Sequence, residues 1–162
     1  MYTERELAVA QIATAVDTDG SICISVMNRG DMGYQFGTVV NIRQTARGQK
    51  LLEKAYDLFG GTFRPHVASM QTWQLSKHYD IKIALEEMLP YFMVKEKEAK
   101  LMLKAIDLLD NKNRIEPTRG RKGFPFSIKQ QVLEISNSMN EGQQKASSRR
   151  NKEKRFEHLY LK

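Results

Sequence analysis

The spacing of hydrophobic residues changes along this chain in a fixed order, and that order limits the folds open to it. A stretch with helical spacing is followed by two stretches in which apolar and polar residues alternate, as in strands. This unit of one helix and two strands occurs twice. Its predicted ranges are residues 4 to 17, 21 to 27 and 34 to 43, then 49 to 59, 62 to 67 and 70 to 77.

Three further helices complete the predicted architecture. Asp80 can cap a short helix that Pro90 ends, and longer helices are predicted at about residues 94 to 109 and 127 to 139. The order helix, strand, strand, helix, strand, strand, helix predicts an α+β fold with an antiparallel sheet on one side. At 162 residues, 41% of them hydrophobic, the chain is long enough for one compact domain and short for two.

The positive charge lies mostly in the C-terminal third of the chain. Residues 1 to 110 hold 13 Lys and Arg against 14 Asp and Glu, whereas residues 111 to 162 hold 13 against 5. We therefore interpret residues 1 to 110 as the core and residues 111 to 162 as a basic helical extension of the same domain. Such a block attracts polyanions, of which nucleic acid is the commonest, although a solvated tail has the same composition.

Several classes of protein are excluded by the sequence. No apolar run approaches the roughly 20 residues that cross a bilayer, and the first residues do not resemble a secretory signal. Cys23 is the only cysteine, so a disulfide framework and a cysteine zinc site are both excluded. The three histidines are too scattered for a zinc-binding helix motif. We expect a soluble, intracellular protein with no membrane partner.

The polar face of the predicted strands contains few acids. Between Ser21 and Lys77 there are seven Lys and Arg against three acids, two of which fall on a helix. Such a face offers donors and acceptors that read base edges, and a two-stranded ribbon fits the major groove, although an ordinary solvated face is the alternative. The predicted DNA contacts are Ser25, Met27, Arg29, Gln35, Asn41, Arg64, His66, Thr72, Gln74, Ser76, Arg149 and Lys152.

Two acids, Asp17 and Asp19, stand where the first predicted helix ends. Carboxylates near the negative end of a helix dipole cost up to about 1 kcal/mol each. A bound divalent cation is the simplest compensation, since Mg²⁺ commonly takes one or two carboxylates, while a plain turn is the alternative interpretation. The same helix carries small residues at Ala8, Ala10, Ala13 and Ala15, which indicate close packing against another helix.

Residues 12 to 20, Ile-Ala-Thr-Ala-Val-Asp-Thr-Asp-Gly, resemble the LAGLIDADG motif of homing endonucleases. That family has the αββαββα order and a saddle-shaped antiparallel sheet, so the resemblance covers about residues 4 to 109. The basic C-terminal helices resemble those of the single-motif, homodimeric, intron-encoded members. Gln44 and Lys95 match a polar and a basic active-site position of the family.

The motif also departs from the family pattern in places. Thr14 and Ala15 replace the usual Gly and Leu, which alters the packing of the paired helices. Gly48 stands where relatives often carry a second basic active-site residue, and Arg47 beside it is an open candidate for that role.

The resemblance implies a site-specific endonuclease that hydrolyses double-stranded DNA as a homodimer at a long pseudo-palindromic site. Asp19, Gln44 and Lys95 would be catalytic. Asp19 and the backbone carbonyl of Thr18 would bind Mg²⁺, in whose place Mn²⁺ or Ca²⁺ can bind, and no organic cofactor is expected. The dimer interface is predicted at Ala13, Thr14, Val16 and Asp17, with Asp17 supporting helix ends across the dimer. A chloroplast, a mitochondrion and a prokaryotic cytoplasm are all compatible locations.

Two rival interpretations stay open at this point. One is a nuclease-inactive nucleic-acid-binding protein of the same fold, such as an intron splicing cofactor or regulator. Cleavage that is lost in Asp19→Asn while binding persists separates the two. The other is a structural protein that dimerises through its alanine-rich helix, for which salt-sensitive DNA affinity is not expected.

The basic tail leads to a separate prediction. Log K should fall with log salt by about 0.9 for each phosphate neutralised, and removing the tail after about Ser147 should reduce that slope strongly. A slope that the truncation leaves unchanged would count against a role of the tail in DNA binding.

Overall fold

The structure of the protein is a computed structural model. It describes residues 2–28, 34–65, 70–114, 116–118 and 121–140. The predicted turn after Asn28 and the predicted basic tail from Gln143 lie outside the described residues.

The order of elements confirms the predicted αββαββα core. The helices and strands are α1 (Glu4–Asp19), β1 (Gly20–Asn28), β2 (Tyr34–Thr45), α2 (Gln49–Phe59), β3 (Thr62–Pro65), β4 (Met70–Leu75), α3 (His78–Met88), α4 (Glu96–Leu108), β5 (Glu116–Thr118), β6 (Arg121–Gly123) and α5 (Phe126–Met139). Short 3₁₀ helices lie at Ala46–Gly48, Leu89–Tyr91 and Asn111–Asn113.

The first four strands form one antiparallel sheet in the order β1-β2-β4-β3. The two predicted hairpins join through the central pair β2 and β4, in which Ile42 lies opposite Trp73. Their inward side chains form the core with the helices, and both Ile42 and Trp73 are fully buried. Residues at the alternate strand positions therefore point to the opposite, polar face, as the period of two predicts.

Helix α1 starts with a capping box and runs further than its sequence pattern predicts. Thr3 accepts a hydrogen bond from the backbone N–H of Glu6, whose side chain accepts from the backbone N–H of Thr3. The helix ends at Asp19, so Asp17 belongs to its last turn and not to a break. Its buried face contains Val9 and Ile12, whereas Leu7 is 51% exposed.

Three smaller features differ from the sequence prediction. Asp80 lies in the first turn of α3, whose N-cap is Lys77, so Asp80 does not cap that helix. Strand β2 extends to Thr45, which places Gln44 inside the strand. The hairpin of β5 and β6 was not predicted, because strands of three residues are too short to show alternation. Across the described ranges, every helix is too short or too polar to span a bilayer.

Candidate active site at the end of helix α1

The carboxylate of Asp17 binds three consecutive backbone amides from a distant part of the chain. One oxygen accepts from Met93 at 2.7 Å and from Val94 at 3.2 Å, and the other accepts from Lys95 at 2.9 Å. Asp17 is only 9% exposed. Burial raises the pKa of its carboxyl group, but the hydrogen bonds from Met93, Lys95 and Val94 outweigh burial and hold that pKa below its ordinary value.

The ammonium group of Lys95 completes this connection in the reverse direction. Lys95 is the N-cap residue of α4, and its Nζ donates to the backbone carbonyls of Val16, at 2.8 Å, and Asp17. A cation therefore sits on carbonyls of the last turn of α1, where the helix dipole favours positive charge. Asp17 and Lys95 together attach the end of α1 to the segment between α3 and α4.

Asp19, the last residue of α1, presents an exposed carboxylate to the polar side chain of Gln44. Gln44 Nε2 donates to Asp19 Oδ2 at 2.8 Å. Gly20 makes this arrangement possible, because a Cβ at that position would lie only 2.7 Å from the Cα of Val16 and would also strike the carbonyl oxygen of Asn41. The close approach of β1 to α1 thus sets Asp19 at one end of the sheet.

The donor groups here match part of a divalent cation site. Within the described ranges, no three His, Cys, Asp or Glu side chains come together as a cluster that could hold a metal ion. The oxygens of Asp17 are occupied by backbone amides, so Asp19 is the carboxylate available at this end of the helix. Because Mg²⁺ often uses one or two carboxylates together with phosphate oxygens and water, the single carboxylate of Asp19 is compatible with an Mg²⁺ site.

The polar face of the sheet carries the described side chains that were predicted to contact DNA. Pairing aligns Ser21, Asn41 and Gln74 across three strands, and Ser21 Oγ donates to Asn41 Oδ1 at 3.1 Å. Ser25, Met27, Gln35 and Arg64 are exposed, Asn41 and Gln74 are half-buried, and exposed Ser76 lies just past β4. Arg29, His66, Arg149 and Lys152 lie outside the described residues.

Thr72 requires a correction to the prediction that it contacts DNA. It lies on the polar side of β4, in register with Arg43 on β2 and Arg64 on β3. However, Thr72 is only 5% exposed, and its hydroxyl oxygen is buried without a hydrogen-bond partner. A base edge has no access to that hydroxyl in this arrangement. In this set of paired residues, the exposed side chains are those of Arg43 and Arg64.

Arg43 is the functional candidate that the sequence prediction missed. It is exposed and follows Asn41 by two residues, so it points to the same face of the sheet. The period of two contains that information, but Arg43 is the last residue of the predicted strand, and the DNA contacts predicted on that strand end at Asn41. Because β2 continues to Thr45, Arg43 lies inside the strand and its side chain is on the same face as that of Asn41.

Comparison with known proteins identifies the fold of this chain. No family model matches the chain. DNA endonuclease I-CvuI from Chlorella vulgaris is 29% identical over 109 residues, which are 65% of this chain and 68% of the relative. The crystal structure of the LAGLIDADG homing endonuclease I-GzeII with its DNA target superposes with a TM-score of 0.71 at 19% identity. This chain has the LAGLIDADG homing-endonuclease fold.

Two further structures share the LAGLIDADG fold over most of their length. The complex of I-CvuI with its target has a TM-score of 0.70 and 23% identity, covering 83% of this chain and 81% of that one. The archaeal intron-encoded homing endonuclease I-Vdi141I, complexed with DNA, has a TM-score of 0.69 and 13% identity, with 85% of each chain covered. In contrast, I-GzeII is matched over 93% of this chain but 49% of its own. The predicted fold is confirmed, and the similarity to DNA endonuclease I-CvuI agrees with the predicted resemblance.

The predicted dimer interface on the LAGLIDADG helix α1 requires a correction. Ala13 and Val16 are fully buried inside the protomer, so their side chains have no surface left for a partner. Asp17 accepts hydrogen bonds from backbone amides of its own chain. Thr14 is exposed, as the prediction requires. The exposed residues at helical spacing on α1 are Leu7, Gln11, Thr14 and Thr18.

Proposed function

We propose that this protein is a homing endonuclease that binds a specific double-stranded DNA site and hydrolyses both strands as a homodimer. The observation that carries the proposal is the exposed carboxylate of Asp19, hydrogen-bonded by Gln44 where α1 meets the sheet. The LAGLIDADG fold and the sequence similarity to DNA endonuclease I-CvuI support it.

Recognition of DNA is assigned to the polar face of the four-stranded sheet. Arg43 and Arg64 would supply guanidinium groups that suit guanine, while Asn41 and Gln74 would supply amide groups. Because the phosphate backbone dominates affinity, the lysines and arginines of residues 111 to 162 would set binding strength and salt dependence. We therefore propose that residues 1 to 110 recognise and cleave DNA and that residues 111 to 162 form a basic extension of the same domain.

The proposed chemistry is metal-assisted hydrolysis at Asp19. Mg²⁺ held by Asp19 and the backbone carbonyl of Thr18 would lower the pKa of an attacking water and stabilise charge on the leaving oxygen. Crystals of I-CvuI with DNA were obtained in the presence of Ca or Mg, which supports a divalent cation here. Gln44 would orient Asp19 and water, while Lys95, held on the α1 carbonyls, would place positive charge near the site.

The single motif and the exposed surface around it support the proposed homodimer. Each protomer would contribute one Asp19, and cutting both DNA strands requires two copies of the site. Beyond the last turn of α1, the neighbouring apolar residues Met93 and Val94 are 92% and 74% exposed. Because Asp17 binds the amides of these two residues, the apolar segment is held at the end of α1. A second copy of this chain is the proposed occupant.

Replacing Thr14 with arginine should disrupt that dimer. Thr14 lies at the centre of the exposed side of α1, and a buried unpaired guanidinium would weaken association by at least about 100-fold. Light scattering after size-exclusion chromatography would report the molar mass, with Tyr79→Arg as control because Tyr79 is 74% exposed on α3. A Thr14→Arg protein that remains dimeric at micromolar concentration would overturn the proposed interface.

The proposed function is tested by selecting cleaved products from a randomised, twofold-symmetric DNA library. With Mg²⁺ present, we expect recovery of one symmetric consensus cut on both strands, and no recovery with chelator or with Asp19→Asn. Sequence-specific binding without any cut would favour the nuclease-inactive alternative. Equal recovery from Asp19→Asn would refute the proposed active site.

A further inference from the structure

Gly48 lies at the end of the 3₁₀ helix between β2 and α2, where its backbone does not require glycine. Its φ of −92° and ψ of 5° are accessible to other residues. However, a Cβ at Gly48 would lie 2.5 Å from Gln44 Oε1, 2.7 Å from Gln44 Cβ and 2.8 Å from Gln44 Cδ. These distances are far shorter than van der Waals contact. The position therefore needs glycine for space and not for conformation.

The atoms that fill this space belong to the side chain that holds Asp19. The carboxamide of Gln44 has its oxygen next to Gly48 and donates from its nitrogen to Asp19 Oδ2 at 2.8 Å. The amide thus spans from the Gly48 backbone to the carboxylate. Any side chain at position 48 would overlap with Oε1, Cδ and Cβ at once, so Gln44 as a whole would have to shift from the position in which it donates to Asp19.

We infer that Gly48 is a positioning residue, whose missing side chain holds Gln44 in the conformer that donates to Asp19. The inference rests on the proposed function only in treating Asp19 and Gln44 as the reacting site. It also explains why a basic side chain cannot occupy position 48 in this chain without displacing Gln44. The family pattern has a second basic residue at this position. In this chain the position is Gly48, and the amide of Gln44 packs against it.

The inference is tested by NMR on metal-free protein without DNA, observing the side-chain amide of Gln44. That resonance is assigned by its absence in Gln44→Ala. Asp19→Asn should shift it in the wild-type background, because the charged acceptor is removed. In the Gly48→Ala background the same change should leave it unmoved, since the pair is already separated. Ala46→Ser, an exposed change in the same 3₁₀ helix, should retain the wild-type response.

A double-mutant cycle measures the steric coupling independently. Gly48→Ala should lower Tm by at least about 3 °C in the wild-type background. In a Gln44→Gly background the added methyl meets no side chain at position 44, so this loss should disappear. In Mg²⁺ cleavage assays Gly48→Ala should reduce kcat by about 100-fold with unchanged DNA affinity, as misplacement by about 1 Å does.

Two results would overturn the inference. One is a Gln44 amide that still responds to Asp19→Asn in Gly48→Ala protein, or that does not respond in the wild type. The other is an equal loss of Tm in both backgrounds of the cycle. Both readouts are obtained without cleavage, so a protein that fails to cut DNA leaves them interpretable and refutes only the proposed function.

Discussion

Asp19→Asn should lower the rate of DNA cleavage by at least about 1,000-fold while the protein still folds and binds its site. A metal ligand contributes several kcal/mol to charge stabilisation, and each 1.36 kcal/mol is a factor of ten in rate. Asparagine keeps the shape of the side chain, and its carbonyl oxygen can still accept from Gln44. The exposed position of Asp19 makes a large loss of stability unexpected.

Single-turnover cleavage with excess Mg²⁺ measures this effect, and gel-shift titration and thermal melting report binding and folding. Asp57→Asn provides a matched control, because Asp57 is an exposed acid on α2 and belongs to neither the site nor the sheet face. The control should cleave at the wild-type rate. Cleavage by Asp19→Asn within tenfold of the wild type would rule out Asp19 as the essential ligand.

Asp17→Asn should destabilise the fold by about 2–4 kcal/mol at pH 7. Its carboxylate accepts from the amides of Met93, Val94 and Lys95 while only 9% exposed. Hydrogen bonds to a buried charged group are worth about 1.5–3 kcal/mol each, and asparagine would point an N–H₂ donor at N–H donors. Urea denaturation measures the free energy of unfolding of both Asp17→Asn and Asp19→Asn. The same chemical change at Asp19 should lower that free energy only slightly.

The dependence on pH follows from the lowered pKa of Asp17. A carboxyl group whose pKa is lower in the folded protein adds stability above its unfolded value, which is about 3.9. That contribution is lost as the pH falls through the folded value. The difference in free energy of unfolding between wild type and Asp17→Asn should therefore be full at pH 7 and shrink below about pH 4. A difference that stays constant down to pH 2 would contradict the assignment.

Sequence patterns were sufficient for most of the secondary structure and for the outline of the site. Helix α2 was predicted with its observed bounds, and the alternation in β2 placed Asn41 on the polar face of the sheet. These are local properties, because the period of apolar residues reports which side of an element is buried. The order of elements then leaves few topologies for an antiparallel sheet.

Contacts between distant residues were beyond the reach of those patterns. The amides of Met93, Val94 and Lys95 meet Asp17 across more than 70 residues, and this contact assigns Asp17 to its own protomer. Helix α1 continues to Asp19, and Lys95 donates to the backbone carbonyls of Val16 and Asp17 in its last turn, a contact that local sequence signals cannot reveal.

The sequence by itself determined the order of helices and strands, the polar face of the sheet and the acidic motif, since each depends on residues close together in the chain. Only the tertiary structure decided that Ala13 and Val16 face the core, that Thr72 is covered and that Gly48 touches Gln44. Small side chains fit equally well against a partner subunit, a neighbouring helix or a packed amide. Which of these covers them depends on where the folded chain brings its distant segments together.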